Sequence, residues 1–297
     1  MATDAARPVL FGEVLFDRFP DGSTVLGGAP FNVAWHLQAF GTAPLFVSRV
    51  GDDALGRRIR DAMADWGMDT SGLQSDPERP TGTVDVTFEK GEPRYDIVAE
   101  RAYDFVDATT LPAASGTGLL YHGTLALRHP VSLAACETLR ARSGAPVFVD
   151  VNLRPPWWDR ERTASALRAA RWIKLNEHEL ASLVRGATLE ERAERFLDET
   201  GADLVVITRG ERGAVARTAD GTVESVRPAA PEAAVVDTVG AGDAFAAVLV
   251  LGLLRKWRLE TTLARAQEFA GAIVGVRGAT VSDAGFYDRL RKVWERA

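Results

Sequence analysis

Apolar, β-branched runs recur along the chain at VLFGEVLFD, LFVSRVG, GLLYHGT, PVFVDVN, WIKLN and LVVITRG, most of them separated by stretches with helical periodicity. Near-continuous apolar strands alternating with helices predict a mainly parallel sheet covered on both faces. Over residues 54–66, Leu55, Ile59, Met63 and Trp66 follow a three-to-four spacing, and Gly67 supplies a stop. A second helix is expected from about Asn32 to Phe40, ending at Gly41; a third, around 161–171, carries Arg on its outer face and leads into WIKLNEHEL.

Residues 81–98, TGTVDVTFEKGEPRYDIV, break that rhythm. Polar and apolar positions alternate about a KGEP turn, the pattern of an antiparallel hairpin with one wet face, which suits a lid better than a core layer. A second hairpin, GAVARTADGTVESV, turns at Asp220-Gly221. With no repeat, low-complexity segment or proline-rich linker, one domain over residues 1–297 is expected, with a lid formed by about 13–26 and 81–107.

The chain's 297 residues can bury a substantial core, and 46% hydrophobic with 26% charged residues is a soluble globular balance. No segment offers the ~18 uninterrupted apolar residues of a membrane span; residues 244–254 come nearest and are too short. The start, MATDAARPVLFGEVLFDRF, is acidic where a signal peptide is basic, so a cytoplasmic location is expected. Cys136 is alone, which excludes a disulfide framework or cysteine metal cluster; it is either a nucleophile or, as VSLAACETL suggests, a packed helix residue. A net charge of −6 disfavours nucleic acid and points to a small-molecule ligand, and the four histidines show no metal-binding spacing.

The candidate chemistry begins at VVDTVGAGDAF, residues 235–245. A β-like run meets a helix near Gly242, and such a junction leaves backbone N–H groups pointing outward, where the helix dipole favours an anion. Asp243 placed there is expected to be ionised at pH 7. A carboxylate beside an anion hole can orient a hydroxyl and take its proton while the amides of Gly240, Ala241 and Gly242 hold a phosphoryl group in transfer. The competing reading is a tight turn with Asp243 as an ordinary first-turn residue.

DTVGAGDAF resembles the C-terminal signature of the PfkB, or ribokinase-like, carbohydrate kinases, and GGAPFNVAWHLQAFG at residues 27–41 resembles their N-terminal signature. The resemblance runs from FGEVLFD to GVRGATVSD. It implies an α/β fold: a ribokinase-like three-layer sandwich with a mainly parallel central sheet, helices on both faces and a small β-lid. It also implies an ATP-dependent sugar kinase using Mg2+, with K+ held by many members.

Matched residue by residue, the resemblance puts Asp17 on sugar hydroxyls, Gly27 and Gly28 at close backbone approach, and Asn32 on a hydroxyl, although Asn32 also suits a helix N-cap. In DVNLRP, Arg154 matches a DxNxR element that meets substrate or phosphate; a surface arginine is the alternative. Asn176 and Glu179 in KLNEHEL match an NxxE element around nucleotide phosphates and magnesium, the latter through water; a capped helix start explains the pair equally well. In TRGERG, Thr208, Arg209, Gly210 and Gly213 match the nucleotide loop, and Ala270 and Gly271 the adenine side. Asp237, Val239, Arg277 and Ala279 match the potassium region.

GGAP ahead of Asn32 looks most like bacterial fructokinases, with Phe31 bulkier than usual there, free to narrow the pocket or pack against the lid. The hairpin offers Tyr95, Tyr103 and Phe105 as cover for a sugar face. D-Fructose phosphorylated at its 6-hydroxyl is therefore expected, with ribose, 2-keto-3-deoxygluconate and nucleosides as alternatives, and a homodimer joined lid to lid. A silent sensor on the same fold would have no need of Asp243. An oxidoreductase would need GxGxxG after the first strand, and a P-loop kinase GxxxxGK[ST]; neither motif occurs.

Overall fold

In the computed structural model, which describes residues 7–89, 92–228 and 237–295, the apolar runs become strands of one large sheet, except that VLFGEVLFD divides between it and a second, smaller sheet. The strands are β1 Arg7–Phe11, β2 Leu15–Arg18, β3 Thr24–Gly27, β4 Leu45–Gly51, β5 Leu73–Asp76, β6 Gly82–Glu89, β7 Glu92–Ile97, β8 Thr117–His122, β9 Val147–Asp150, β10 Trp172–Asn176, β11 Leu204–Thr208, β12 Ala214–Thr218 and β13 Val223–Val226. The helices are α1 Ala29–Ala39, α2 Ala54–Asp65, α3 Pro130–Ser143, α4 Arg160–Arg168, α5 Glu177–Leu183, α6 Leu189–Thr200, α7 Ala241–Arg255, α8 Leu259–Val274 and α9 Ala284–Trp294. The three expected helices appear as α1, α2 and α4, with ends moved by a few residues.

The large sheet has the order β13-β12-β11-β10-β9-β8-β1-β4-β5. From β11 to β5 every pair is parallel, while β12 and β13 fold back antiparallel as the expected Asp220-Gly221 hairpin. Side chains alternate across a strand, so each apolar run feeds two cores. Leu10, Tyr121 and Val206 pack under α1, α7 and α8, and Val9, Phe11, Val205 and Ile207 pack under α3 and α6. Helix α7 is apolar on all sides and must be covered all round. It is buried from Ala244 to Gly252 between α1 and α8, and a Cβ at Gly252 would stand 2.4 Å from Thr262 Cγ2.

A second sheet of four strands, β3-β2-β6-β7, stands apart from the first. Its β6–β7 arm is the expected hairpin, although Lys90 and Gly91 of the KGEP turn, like most of the run ahead of Thr238, lie outside the described residues. The strands occupy residues 15–27 and 82–97; residues 102–105 form a 3-10 turn packed into the protein. Tyr103 and Phe105 are buried there, so of the three aromatic residues expected over a sugar only Tyr95, 52% exposed, is accessible. Cys136 is buried too, and burial pushes its thiol up to about 12, which leaves it a packing residue. Among the described residues no helix is long and apolar enough to cross a membrane.

Candidate active site

Parallel strands deliver their following loops to one end of the sheet, the usual location of a ligand crevice in open α/β sheets. Here that end gathers residues after β1, β9, β10 and β11, together with the first turn of α7.

The turn into α1 is built for close approach. Gly28 has φ 114°, a conformation that favours glycine, and a Cβ there would stand 2.6 Å from the Glu13 carbonyl oxygen, whereas one on Gly27 would meet nothing within 4 Å. Gly28 itself is the N-cap, and no side chain caps the helix. Asn32 lies one turn inside, its backbone N–H donating to Gly28 O at 2.8 Å, so it does not cap α1. Instead its Nδ2 donates to Asp243 Oδ2 at 2.7 Å, and its buried Oδ1 has no protein partner.

Gly240, at φ 81°, starts α7 against the loop after α8: a Cβ there would stand 2.5 Å from Ala279 Cα. No side chain caps this turn among the described residues. The Ala241 amide leans back to Thr238 O at 3.4 Å, so the Gly242 and Asp243 amides are the freer donors. Burial pushes the Asp243 carboxyl up to about 6; the Asn32 hydrogen bond opposes this, Asp150 adds to it, and Lys174 and Arg154 oppose it. The helix end was expected to dominate, but desolvation outweighs it. Asp243 is nevertheless mostly ionised at neutral pH, with a basicity suited to accepting a proton there.

Asp17 on β2 is similarly raised to about 6 by burial, opposed by Arg154. Tyr95 on β7 is raised by burial and by the charges of Asp17 and Asp237, again opposed by Arg154. Arg154 is thus a common neighbour of Asp17, Tyr95 and Asp243, which brings the small sheet, the loop after β9 and α7 around one space. Asn152, two residues before it, holds φ 45°, a left-handed conformation that asparagine tolerates. Phe31 does not narrow this space: it is fully buried against Phe46 and Trp35, in the core cluster that also holds Phe16 of β2.

Glu13 belongs to the same neighbourhood and was not singled out in the sequence. It is 2% exposed, its Oε2 has no hydrogen-bond partner, and burial pushes it up to about 7 against the pull of Arg154 and Arg128, with Asp243 raising it further. Its signal was a lone charge within FGEVLF, the same kind of anomaly that marks Asp243.

On the other side, Asn176 and Thr208 are register neighbours at the ends of β10 and β11. Asn176 caps α5, its Oδ1 accepting from His178 N and Glu179 N at 2.9 Å each. Glu179 returns the bond, Oε2 accepting from Asn176 N, while Oε1 accepts from Leu153 N, both at 2.8 Å. The capped-start reading therefore holds locally. With both oxygens already accepting amides, Glu179 fits contact with magnesium through water rather than direct ligation.

The Thr208 loop closes through Arg209 N to Gly213 O at 2.8 Å, and a Cβ at Gly213 would stand 1.9 Å from Val226 O, so only glycine fits. Ala270 is buried in α8, and Gly271 opens to space, with nothing within 4 Å of a Cβ. Asp237 ties the two loops expected around potassium, accepting from Val239 N at 3.0 Å and Gly278 N at 3.1 Å. Asp237 thus brings a carboxylate up to the loop that holds Arg277 to Ala279, and carboxylate and carbonyl oxygens are the donors a hard cation takes.

A model of the pfkB family carbohydrate kinases matches residues 3–284. A fructokinase from Klebsiella pneumoniae is 33% identical over 259 residues, 82% of this chain and 83% of its own length. Among solved structures, a fructokinase from Vibrio cholerae with fructose, ADP and calcium ion bound is similar at TM-score 0.82 and 26% identity, covering 97% of this chain and 100% of that one. Aminoimidazole riboside kinase from Salmonella enterica, complexed with aminoimidazole riboside and an ATP analogue, is similar at TM-score 0.83 and 27% identity, with 97% and 100% covered. Motif order, strand-end loops, sheet topology and these similarities agree: the chain belongs to the pfkB family of carbohydrate kinases.

Proposed function

We propose that the chain transfers the γ-phosphoryl group of ATP to the primary hydroxyl of a monosaccharide, D-fructose at its 6-hydroxyl. The observation that carries this reading is the Asn32–Asp243 hydrogen bond at the uncapped start of α7. It aims a carboxylate of near-neutral basicity beside free amides, and a kinase needs both at one point. Asp243 accepts the hydroxyl proton as that oxygen attacks phosphorus and the bond from phosphorus to the departing ADP oxygen breaks, and the amides of Gly240, Ala241 and Gly242, Gly242 being freer than Ala241, take the charge of the transferring group.

Asp17, Gly27, Gly28, Asn32, Arg154 and Tyr95 bind the sugar in this reading. Asn176, Thr208, Arg209, Gly210, Gly213, Ala270 and Gly271 line the nucleotide. Glu179 would hold magnesium through water, and Asp237, Val239, Arg277 and Ala279 would hold a potassium ion. Magnesium, when bound, neutralises phosphate charge.

Register places Val25 beside Asp17, and Tyr95 beside Val86, on one face of the small sheet, where Val25, Phe88 and Tyr95 are exposed. This face acts as the lid over the sugar, excluding water, and its exposed apolar residues extend to a second copy of the chain in a homodimer.

Fructose is favoured by the GGAP turn and by the fructokinase relatives. A riboside is the second reading, favoured by the likeness to aminoimidazole riboside kinase. The test is ADP release across a panel of fructose, ribose, 2-keto-3-deoxygluconate and nucleosides. Asp243→Ala is expected to keep measurable sugar binding while turnover falls by at least ~10³-fold. Near-normal turnover in that variant sinks the base; ADP release with ribose or a riboside and none with fructose sinks the substrate alone.

A further inference from the structure

Lys174 and Asp150 are register neighbours on β10 and β9, and Tyr121 stands close by on β8. All three face the side of the sheet covered by α1 and α7. Lys174 Nζ donates to both Asp150 oxygens at 2.9 Å, and the Tyr121 hydroxyl donates to Asp150 Oδ2 at 3.2 Å. The cluster is buried, with relative exposures of 6% for Lys174, 4% for Asp150 and 0% for Tyr121.

A buried ion pair pays a desolvation penalty that its attraction often fails to recover, so stability alone is a weak reason for one. Its location supplies a better reason. Leaving aside its chain neighbours and the helix's own backbone, the one described atom within 4 Å of a Cβ position on Gly242 is Lys174 Nζ, at 3.8 Å. The ammonium therefore lies beside the first turn of α7. It has three donors, Asp150 engages it twice, and among the described residues no further acceptor takes it up.

We propose that Lys174 is a positioning residue for phosphoryl transfer: Asp150 and Tyr121 fix its ammonium beside Gly242, where it adds positive charge to the anion hole and governs the charge on Asp243. The proposal rests on the kinase reading above. Each charged neighbour of Asp243 has a definite sign. Lys174 and Arg154 favour its ionised form and Asp150 opposes it, while Glu13 and Tyr121 stand near enough to feel its charge.

Removing the Lys174 charge therefore makes Asp243 easier to protonate, and removing the Asp150 charge makes it harder. Lys174→Met is expected to lower kcat by ~10-fold or more, with KM for the sugar little changed, and to move the acidic limb of the kcat/KM profile to higher pH. Asp150→Asn is expected to move that limb to lower pH. Opposite movements cannot arise from loosened packing alone. The double variant Lys174→Met with Asp150→Asn removes both charges together and guards against a single variant that fails to fold; its kcat is expected to stay low. Titration of a ¹³C-labelled Asp243 carboxyl in the same variants reads the proton without turnover. If the wild-type protein released no ADP, the kinase reading would fail while this titration still decided the present one. Limbs and titrations that stay put, with only thermal stability reduced, overturn the proposal, as does a double variant with wild-type kcat.

Discussion

Two helix starts carry an asparagine, and they use it in opposite ways. At α5, Asn176 spends its side-chain oxygen on the amides of His178 and Glu179. At α1, the glycine turn starts the helix with no side-chain cap, and Asn32, one turn further in, sends its amide across to Asp243. Where a side chain satisfies the backbone, it is held in place as architecture. Where glycine lets the backbone begin without help, the neighbouring polar side chain is free to reach Asp243, and its remaining oxygen is left buried without a protein partner among the described residues.

Breaking each start separates the roles. The largest effect is expected for Asn32→Ala, which removes the orienting bond on Asp243: turnover falls by ~10²-fold, about 2.7 kcal/mol of barrier. Because that bond favours the ionised carboxylate, its loss raises the Asp243 pKa above about 6, and the acidic limb of the rate profile moves to higher pH. A pH–rate series with both variants checks this, and Asn176→Ala should leave the limb in place.

Next is Gly28→Ala, which meets both the left-handed φ and the Glu13 carbonyl. It is expected to cost ~2 kcal/mol or more of stability by denaturant unfolding, against a few tenths for Gly27→Ala, which meets nothing.

Glu13→Gln tests the floor under that turn. A carboxyl held at about 7 when folded and 4.5 when free makes its contribution fully below about 4.5, and that contribution is lost as pH rises towards 7. Glu13→Gln is therefore expected to gain on the order of 1–2 kcal/mol over the wild type at pH 8 and nothing at pH 4. Equal gains at both pH values would reject the buried acid as the cause. The smallest effect is expected for Asn176→Ala, about 1 kcal/mol of stability from the lost cap, measured in the same unfolding series.

The large sheet was legible because parallel strands buried on both faces need continuous apolar runs, and LFVSRVG and LVVITRG carry them. The small sheet was legible only in part. Its β6–β7 arm alternates locally, but β2 pairs in parallel with β6 across 67 residues, Arg18 beside Asp85, and no local pattern announces such pairing. In the candidate site, motif order brought out Asp243 and Asn32. Lys174 and Glu13 did not stand out, because each is a single polar position in an apolar run, and the run alone reads as a core strand. Burial of Tyr103 in the 3-10 turn was hidden for a similar reason: its packing partners, Arg128 and the backbone at Gly82, lie outside its own segment.

The Asn32–Asp243 bond joins positions 211 residues apart. On the ribosome, the glycine turn into α1 and the loops after β10 and β11 therefore emerge before Asp243, the proposed base. A chain that stops short of α7 lacks the group that, under the proposed function, takes the proton. The Asp243 carboxylate is fixed late, on a helix that α8 must also cover, so under the proposed function the ability to transfer a phosphoryl group arrives only with the last fifth of the sequence.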